Sequence, residues 1–337
     1  MKRFWILRLL ILCVLWVGLG VLALSGKANE QILWQAGVFS LLLLIGAALE
    51  KLVPYKGDPY LLPTVQLILV IGLVFLTRIS PASALKQFWW ACLGLFVFYI
   101  VLYALRDYRI LGRFRYLFGF SAVILLFITL LFGVTRGGAT SWLKIGGLNF
   151  ETEELVKVAM LIFLASYLSE KEEILRIGTV QIGRFSLPDW RTLGPFLVMG
   201  GFSLLLLAAQ KSLGTALVFF SLYVLVLYVV TERLLYLGIA IPVFLCTGTL
   251  GYFLFGHVRV RIATWLNPWA DPGGTGYQIA QSLFAIGGGK VLGTGLGNGI
   301  GAFQVPAAST DFIFSIIAEE MGLAGAMALL MLFSVVV

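Results

Sequence analysis

Three carboxylates, Asp311, Glu319 and Glu320, stand at the start of an apolar stretch that runs to Val337, and a glycine-rich polar segment leads into them. Charge is costly inside a membrane, so carboxylates in such a stretch are functional candidates. The segment from Arg261 to Gly325 also carries the cations Arg261 and Lys290, with Arg259 just ahead of it. A carboxylate can take a proton from a hydroxyl, and arginine or lysine can hold an anionic group. Asp311 follows Thr310 and precedes Phe312 and Ile313. Its plainest role would be a helix cap or a first-turn acid, but Thr310 can also cap, which leaves Asp311 free for chemistry. In helical register Ser315 and Glu319 follow at i+4 and i+8 on the Asp311 face, while Glu320 points elsewhere. Glu319 could pair with a helix-borne base such as Lys157, and ion pairing is the expected structural role of both glutamates.

These groups need a frame. The chain is 60% hydrophobic and 12% charged, which excludes a soluble domain. A bilayer span needs about 20 apolar residues. Ten runs approach that length: 5–24, 33–50, 60–77, 86–105, 117–135, 154–169, 193–209, 213–230, 234–255 and 311–337. The expected fold is all-α, a polytopic helical membrane protein of about ten transmembrane helices with a long loop, 256–310, before the last. The first run lacks a small-residue cleavage site and reads as a retained helix rather than a signal peptide. The chain stops at Val337 inside its last apolar run, so a fragment or an unusually short homologue is expected.

Basic residues set the orientation. With a cytoplasmic N-terminus, the inner segments hold Lys2, Arg3, Arg8, Lys51, Lys56, Arg106, Arg109, Arg113, Arg115, Lys171, Arg176, Arg184, Arg191 and Arg233. The outer segments hold Lys27, Arg78, Lys86, Arg136, Lys144, Lys211, Arg259, Arg261 and Lys290, with Lys157 left in a helix. Fourteen against nine favours this arrangement, and the Arg106–Arg115 cluster anchors it. The 256–310 loop is then extracytoplasmic. The net charge of +8 follows from the topology, and basic loops face anionic lipid, so no nucleic-acid partner is implied. Cys13, Cys92 and Cys246 fall in apolar runs and His257 is the single histidine, so neither a disulfide nor a zinc site is expected.

Two connecting segments have character of their own. Residues 170–192 form the one sizeable cytoplasmic loop, and 136–152 a second outer loop whose Trp142, Leu143 and Ile145 suit the membrane interface. Glu154 and Lys157, three apart on the next helix, can neutralise one another or line a polar cavity. The Gly293–Gly297 run lacks the strand that a dinucleotide fold requires, and its glycines read as turn formers.

Four collinear patterns resemble the RodA/FtsW (SEDS) family of peptidoglycan glycosyltransferases. GGATSWLKIGGLNFETEELVKVAM (137–160) is similar to the family's first stretch at Trp142, Gly146, Phe150, Glu154 and Lys157. QKSLGTAL (210–217) keeps Gln210, Leu213, Gly214 and Thr215 of Q-P-D-L-G-T. RIATWLNPWADPGGTGYQIAQSLFAIGGGKVLGTGLG (261–297) follows a third pattern, which includes Arg261 and Gln278. VPAASTDFIFSIIAEEMGLAG (305–325) resembles L-P-E-x-x-T-D-F-I-F…E-E-x-G. The resemblance is close over 117–337, a SEDS-like core, and weak over the N-terminal helices of 1–116. Ser141 replaces an arginine, Glu151-Thr152-Glu153 replace Gln-Pro-Ser, Lys211-Ser212 replace Pro-Asp, and Ala307 replaces a glutamate. The family's last two helices have no counterpart here.

The resemblance implies a lipid II polymerase at the outer face of the bacterial cytoplasmic membrane, acting in elongation or division. It implies Asp311 as catalytic base and Trp142, Glu154, Lys157, Arg261, Gln278, Lys290 and Glu319 around the substrate. It further implies undecaprenyl-pyrophosphate-linked glycan as ligand and a class B penicillin-binding protein as partner. A divalent cation, magnesium or manganese, could bridge pyrophosphate and carboxylates, although no ligand cluster stands out. Two alternatives remain open: a flippase for the lipid-linked precursor, with Glu154, Lys157 and Glu319 along its route, and a non-catalytic scaffold for a transpeptidase. The substitutions at 141, 212 and 307 favour the scaffold, while the intact T-D-F-I-F segment opposes it.

Overall fold

The structure, a computed structural model, describes residues 2–26, 30–52, 57–105, 107–136, 138–146, 148–177, 180–182 and 185–337. Lys27, Lys56, Arg106 and Arg184 of the orientation argument, and Gly137 and Gly147 of the first family pattern, lie outside those residues. The helices in chain order begin with α1 (Lys2–Leu24), α2 (Glu30–Leu52), α3 (Leu61–Ile79), α4 (Pro81–Ala104), α5 (Arg109–Arg113) and α6 (Arg115–Phe132). A three-stranded antiparallel sheet follows, β1 (Val134–Arg136), β2 (Ala139–Ile145) and β3 (Leu148–Glu151), in the order β1-β2-β3. Then come α7 (Thr152–Glu170), α8 (Glu172–Ile177), the hairpin β4 (Val180–Ile182) and β5 (Phe185–Leu187), α9 (Trp190–Ala209), α10 (Leu213–Thr231) and α11 (Leu234–Leu254). The last part holds α12 (Gly256–Leu266), a 3-10 turn (Pro268–Ala270), α13 (Tyr277–Gly288), α14 (Gly301–Gln304) and α15 (Ile313–Val336).

Among the described residues nine helices are long and apolar enough to cross a membrane. They account for nine of the ten apolar runs. The tenth run forms α7, whose Glu153, Glu154, Lys157 and Glu170 lower its hydropathy. The loop expected over 136–152 is instead a small sheet, in which Trp142 pairs with Glu151 and Leu143 with Phe150. Likewise, 170–192 is built from α8 and a hairpin rather than open loop. Both segments must satisfy their own backbone polar groups, which short antiparallel ladders achieve.

The chain divides into two units. The first comprises Met1–Leu105 with Phe255–Val337, the second Arg106–Leu254. In the first, α1 to α4 pack around Leu15, Leu22, Phe39, Val70 and Phe88. A second core of this unit joins α3 to α13, α14 and α15 through Phe75, Ala285, Val305, Ile316 and Leu329. In the other unit, α6, α7, α9 and α10 pack around Leu126, Met160, Phe163, Tyr167 and Phe219. Helices in lipid gain little from burying apolar surface and associate through close packing and hydrogen bonds. Gln210 supplies such a bond across this unit, donating to the Leu126 carbonyl at 2.7 Å.

Two of the cations counted for the orientation, Arg8 and Arg78, are buried inside the first unit. Arg8 makes a two-pronged bond to Glu50, at 2.7 and 2.8 Å, and also donates to Gln66. The Tyr99 hydroxyl donates to the same Glu50 at 2.8 Å, so one carboxylate ties together α1, α2 and α4. Arg78 lies within α3 and pairs with Glu320. Removing Arg8 and Arg78 takes one charge from each side and leaves the topological margin unchanged.

Candidate active site

Asp311 is exposed and lies two residues before α15 begins at Ile313. It is therefore not the helix cap: the cap position is Phe312, which makes no side-chain cap bond. Thr310 does not cap either, because its hydroxyl donates back to the Ala307 carbonyl at 3.2 Å. The amides of Thr310 and Asp311 donate to that same carbonyl, at 3.1 and 2.9 Å. Ala307 takes a left-handed conformation, φ 54°, to present it. Asp311 thus projects from a tight turn, and among the described residues no hydrogen bond or ion pair reaches its carboxylate. The helical face drawn from Asp311 through Ser315 and Glu319 starts only inside α15, where Ser315 is buried against Ser282 of α13.

Beneath that turn the chain is braced. Helix α15 is broken at Gly322, whose φ of 67° and ψ of −172° are essentially restricted to glycine. The segment 290–301 enters the break. Thr294 and Gly295 donate to the carbonyls of Glu319 and Glu320, both at 3.0 Å. In return, Leu323 and Ala324 donate to the carbonyls of Lys290 and Val291, at 2.9 and 3.1 Å. A Cβ on Gly322 would strike the Val291 carbonyl and the Gly293 amide, and one on Gly293 would strike the Glu320 carbonyl. The glycines of 293–297 do form turns, with φ of 83°, 93° and 87° at Gly293, Gly295 and Gly297. The approach of backbone to backbone is a second demand on them.

Both glutamates serve this brace. Glu319 accepts from the amides of Ile300 and Gly301 at 3.0 and 2.9 Å, and Glu320 from those of Gly297 and Gly299 at 2.8 and 3.2 Å. Glu320 Oε1 also lies 3.3 Å from Arg78 Nε, with the two side chains 0% and 3% exposed. Arg78 donates to the Gly299 carbonyl at 3.0 Å and lies over the Phe303 ring. Glu319 is 4% exposed and takes its bonds from the 290–301 segment of its own unit, while Lys157 pairs with Glu154 on its own helix. Sequence reasoning missed Arg78, although a cation closing an apolar run was a usable signal.

Of the cations, Arg261 on α12 and Lys290 at the end of the α13 segment are exposed, as is Gln278 in the first turn of α13. The matched N-P…G-Y-Q stretch makes the turn into α13. Asn267 accepts from the Trp269 amide, and Asp271 accepts from the Thr275 amide at 2.8 Å and its hydroxyl at 3.2 Å. Among the described residues no group of three or more His, Cys, Asp or Glu side chains could hold a metal ion.

The second unit holds the other residues of interest. Trp142 is half-buried on β2, and Lys157 Nζ lies 2.6 Å from Glu154 Oε1 on an open face of α7. Burial, followed by the nearby Glu153 and Glu154, pushes the Glu151 carboxyl above its usual range. Several departures from the family pattern are in contact. The buried Ser141 hydroxyl donates to the buried Glu153, and Thr152 accepts from Thr129 at 2.8 Å. The serine that replaces arginine and the glutamate that replaces serine are thus each other's partner.

With nine helices among the described residues long and apolar enough to cross a membrane, the chain is a multi-pass membrane protein. The family model described as cell cycle protein, FtsW/RodA/SpoVE, matches residues 59–337, so the likeness begins well before residue 117. Proteins named peptidoglycan glycosyltransferase RodA from Mycobacterium bovis and Mycobacterium tuberculosis are each 35% identical over 335 residues. Those alignments cover 94% of this chain and 71% of either relative. A solved structure described as the coordination of polymerization and crosslinking by a peptidoglycan synthase complex has a TM-score of 0.62 at 28% identity. It covers 83% of this chain and 76% of its own. Thermus thermophilus RodA, at 24% identity and TM-score 0.54 over 84% of this chain and 73% of its own, shares the fold. The chain belongs to the FtsW/RodA/SpoVE family.

Proposed function

We propose that this protein is a peptidoglycan glycosyltransferase that joins lipid-linked disaccharides, lipid II, into glycan strands at the outer membrane face. The observation that carries this reading is Asp311: exposed, with no hydrogen bond or ion pair to its carboxylate among the described residues, and held on a turn just ahead of the braced helix α15. The acceptor sugar hydroxyl attacks the donor's anomeric carbon while Asp311 takes its proton. The bond from that carbon to the pyrophosphate oxygen breaks, and undecaprenyl pyrophosphate leaves. Arg261 and Lys290, exposed in the same unit, would stabilise the leaving charge, and Gln278 would contact the sugar. Trp142, Glu154 and Lys157 are proposed as substrate contacts only on the family pattern they match.

This reading sets the N-terminus in the cytoplasm and residues 256–310 outside, as the surplus of inner cations supports. A class B penicillin-binding protein would be the crosslinking partner, by analogy with the synthase complex that the chain resembles. A divalent cation could accompany the pyrophosphate, and the step above runs on the protein's own groups without it. The scaffold alternative loses support because Ser141 has a local partner and Ala307 shapes the Asp311 turn.

The test is polymerisation of labelled lipid II by purified protein with its partner, comparing wild type with Asp311→Asn. Removing a general base costs about 10²–10⁴-fold. The variant should lose that much rate and keep the wild-type melting temperature, since its carboxylate braces nothing. Equal product from both would remove Asp311 as base.

A further inference from the structure

Asp311 has to be aimed by its backbone, because among the described residues no hydrogen bond or ion pair reaches its carboxylate. That backbone is a loop with two limbs. Gly301 lies ten residues before Asp311, and Glu319 eight residues after it. On the entry limb the Val305 amide donates to the Gly301 carbonyl at 2.8 Å, and Val305 and Ala308 are each 4% exposed. On the exit limb Ser315 Oγ lies 2.5 Å from Ser282 Oγ, and Ile316 packs in the same core as Val305 and Ala308.

A side chain closes the base of this loop. Glu319 Oε1 accepts from the Ile300 amide at 3.0 Å, and Oε2 from the Gly301 amide at 2.9 Å. One carboxylate on the exit limb thus grips the start of the entry limb with both oxygens. Hydrogen bonds to an ionised acceptor are about twice as strong as neutral ones. Glycine keeps the approach open: a Cβ on Gly301 would lie 2.4 Å from Glu319 Oε2. Glu320 differs, since its amide partners, Gly297 and Gly299, precede the loop. Being almost wholly buried, Glu319 presents hardly any surface to a substrate.

We propose that Glu319 is a positioning residue for glycosyl transfer, which closes the 301–319 loop and so aims Asp311 at the acceptor hydroxyl without touching substrate. This role rests on Asp311 being the base. Glutamine at 319 would keep one acceptor oxygen and set an amide donor against a backbone amide, which opens the base of the loop.

Steady-state polymerisation of labelled lipid II, by purified protein with its partner, tests this in wild type, Asp311→Asn, Glu319→Gln and the double variant. Misplacing a reacting group by about 1 Å can cost about 10²-fold, so Glu319→Gln should lower kcat about 10- to 100-fold. KM should stay within about twofold, because no substrate contact is lost. In the Asp311→Asn background the same substitution should cost less than about twofold, since a residue acting only through Asp311 has nothing left to aim. A merely structural glutamate, or one touching substrate, would lower the residual rate there as well. Hydrogen exchange gives a readout apart from activity: the peptide with the Thr310 and Asp311 amides, both bonded to the Ala307 carbonyl, should exchange at least about tenfold faster in Glu319→Gln. If Glu319→Gln does not fold, Glu319→Asp, with the charge kept on a side chain one methylene shorter, replaces it in every arm. A raised KM with kcat kept, an equal loss in both backgrounds, or unchanged exchange at Thr310 and Asp311 overturns the proposal. Wild-type turnover in Glu319→Gln beside a disabled Asp311→Asn overturns this role alone. Wild-type turnover in Asp311→Asn overturns the assignment of the base, and this role with it.

Discussion

Replacing Gly322 by alanine should loosen the last helix and the inserted loop together. An alanine at φ 67°, ψ −172° carries a backbone penalty of about 1–3 kcal/mol. Its Cβ would also press on the Val291 carbonyl and the Gly293 amide, which cannot rotate aside as a side chain could. Relief requires the loop to withdraw, giving up at least two of the four backbone bonds across the break, worth about 1 kcal/mol each. The sum is about 3–5 kcal/mol, or a melting temperature lower by about 10 °C at about 2–4 °C per kcal/mol. Thermal unfolding in detergent measures it, with Gly72→Ala as the control. Gly72 sits inside α3 with nothing within 4 Å of its would-be Cβ, so alanine there should be neutral or stabilise by about 0.5–1 kcal/mol. If Gly322→Ala melts within about 2 °C of Gly72→Ala, the splice of loop and helix is not what holds this region.

Other expectations follow from the same contacts. Arg78→Ala should destabilise by about 3–5 kcal/mol because it strands a buried carboxylate, and adding Glu320→Gln should recover part of that loss; a double-mutant cycle in thermal unfolding reads both. Glu154→Gln and Lys157→Met should shift stability by less than about 1 kcal/mol, since the pair is 63% and 33% exposed. Any large fall in lipid II turnover from either variant would then come from substrate contact. Glu151→Gln should raise the melting temperature near neutral pH. With the carboxyl pushed up in the folded state, its ionised form opposes folding, and the advantage over wild type should vanish as acid protonates both states.

The helical frame was readable because apolar length alone defines a span, and Asp311 because a carboxylate beside such a span is conspicuous. What escaped reading depends on partners far away in the chain. Arg78 closes an apolar run as a flanking loop cation would, and only Glu320, brought to it by the fold, explains why it is buried. The break in α15 is equally hidden, since glycine is common in membrane helices and the run continues unbroken to Val337. Nothing local distinguishes Gly322 until the 290–301 segment fills the gap. Strands β1–β3 were obscured by glycines at both ends of 136–152, and only the short Leu143-Lys144-Ile145 run alternates apolar and polar residues there. Ser141 and Glu153 read as two losses when taken singly and as one exchange once they touch.

The order of synthesis matters for α15. In hydrocarbon each unsatisfied backbone group costs several kcal/mol, and the break exposes the carbonyls of Glu319 and Glu320 and the amides of Leu323 and Ala324. Alone, this segment would be a poor passenger for insertion into the bilayer. The segment that satisfies it is already made when α15 leaves the ribosome, because 290–301 precedes 313–336 in the chain. The same four bonds thus tie the bilayer compatibility of this helix to the docking of the loop that completes it.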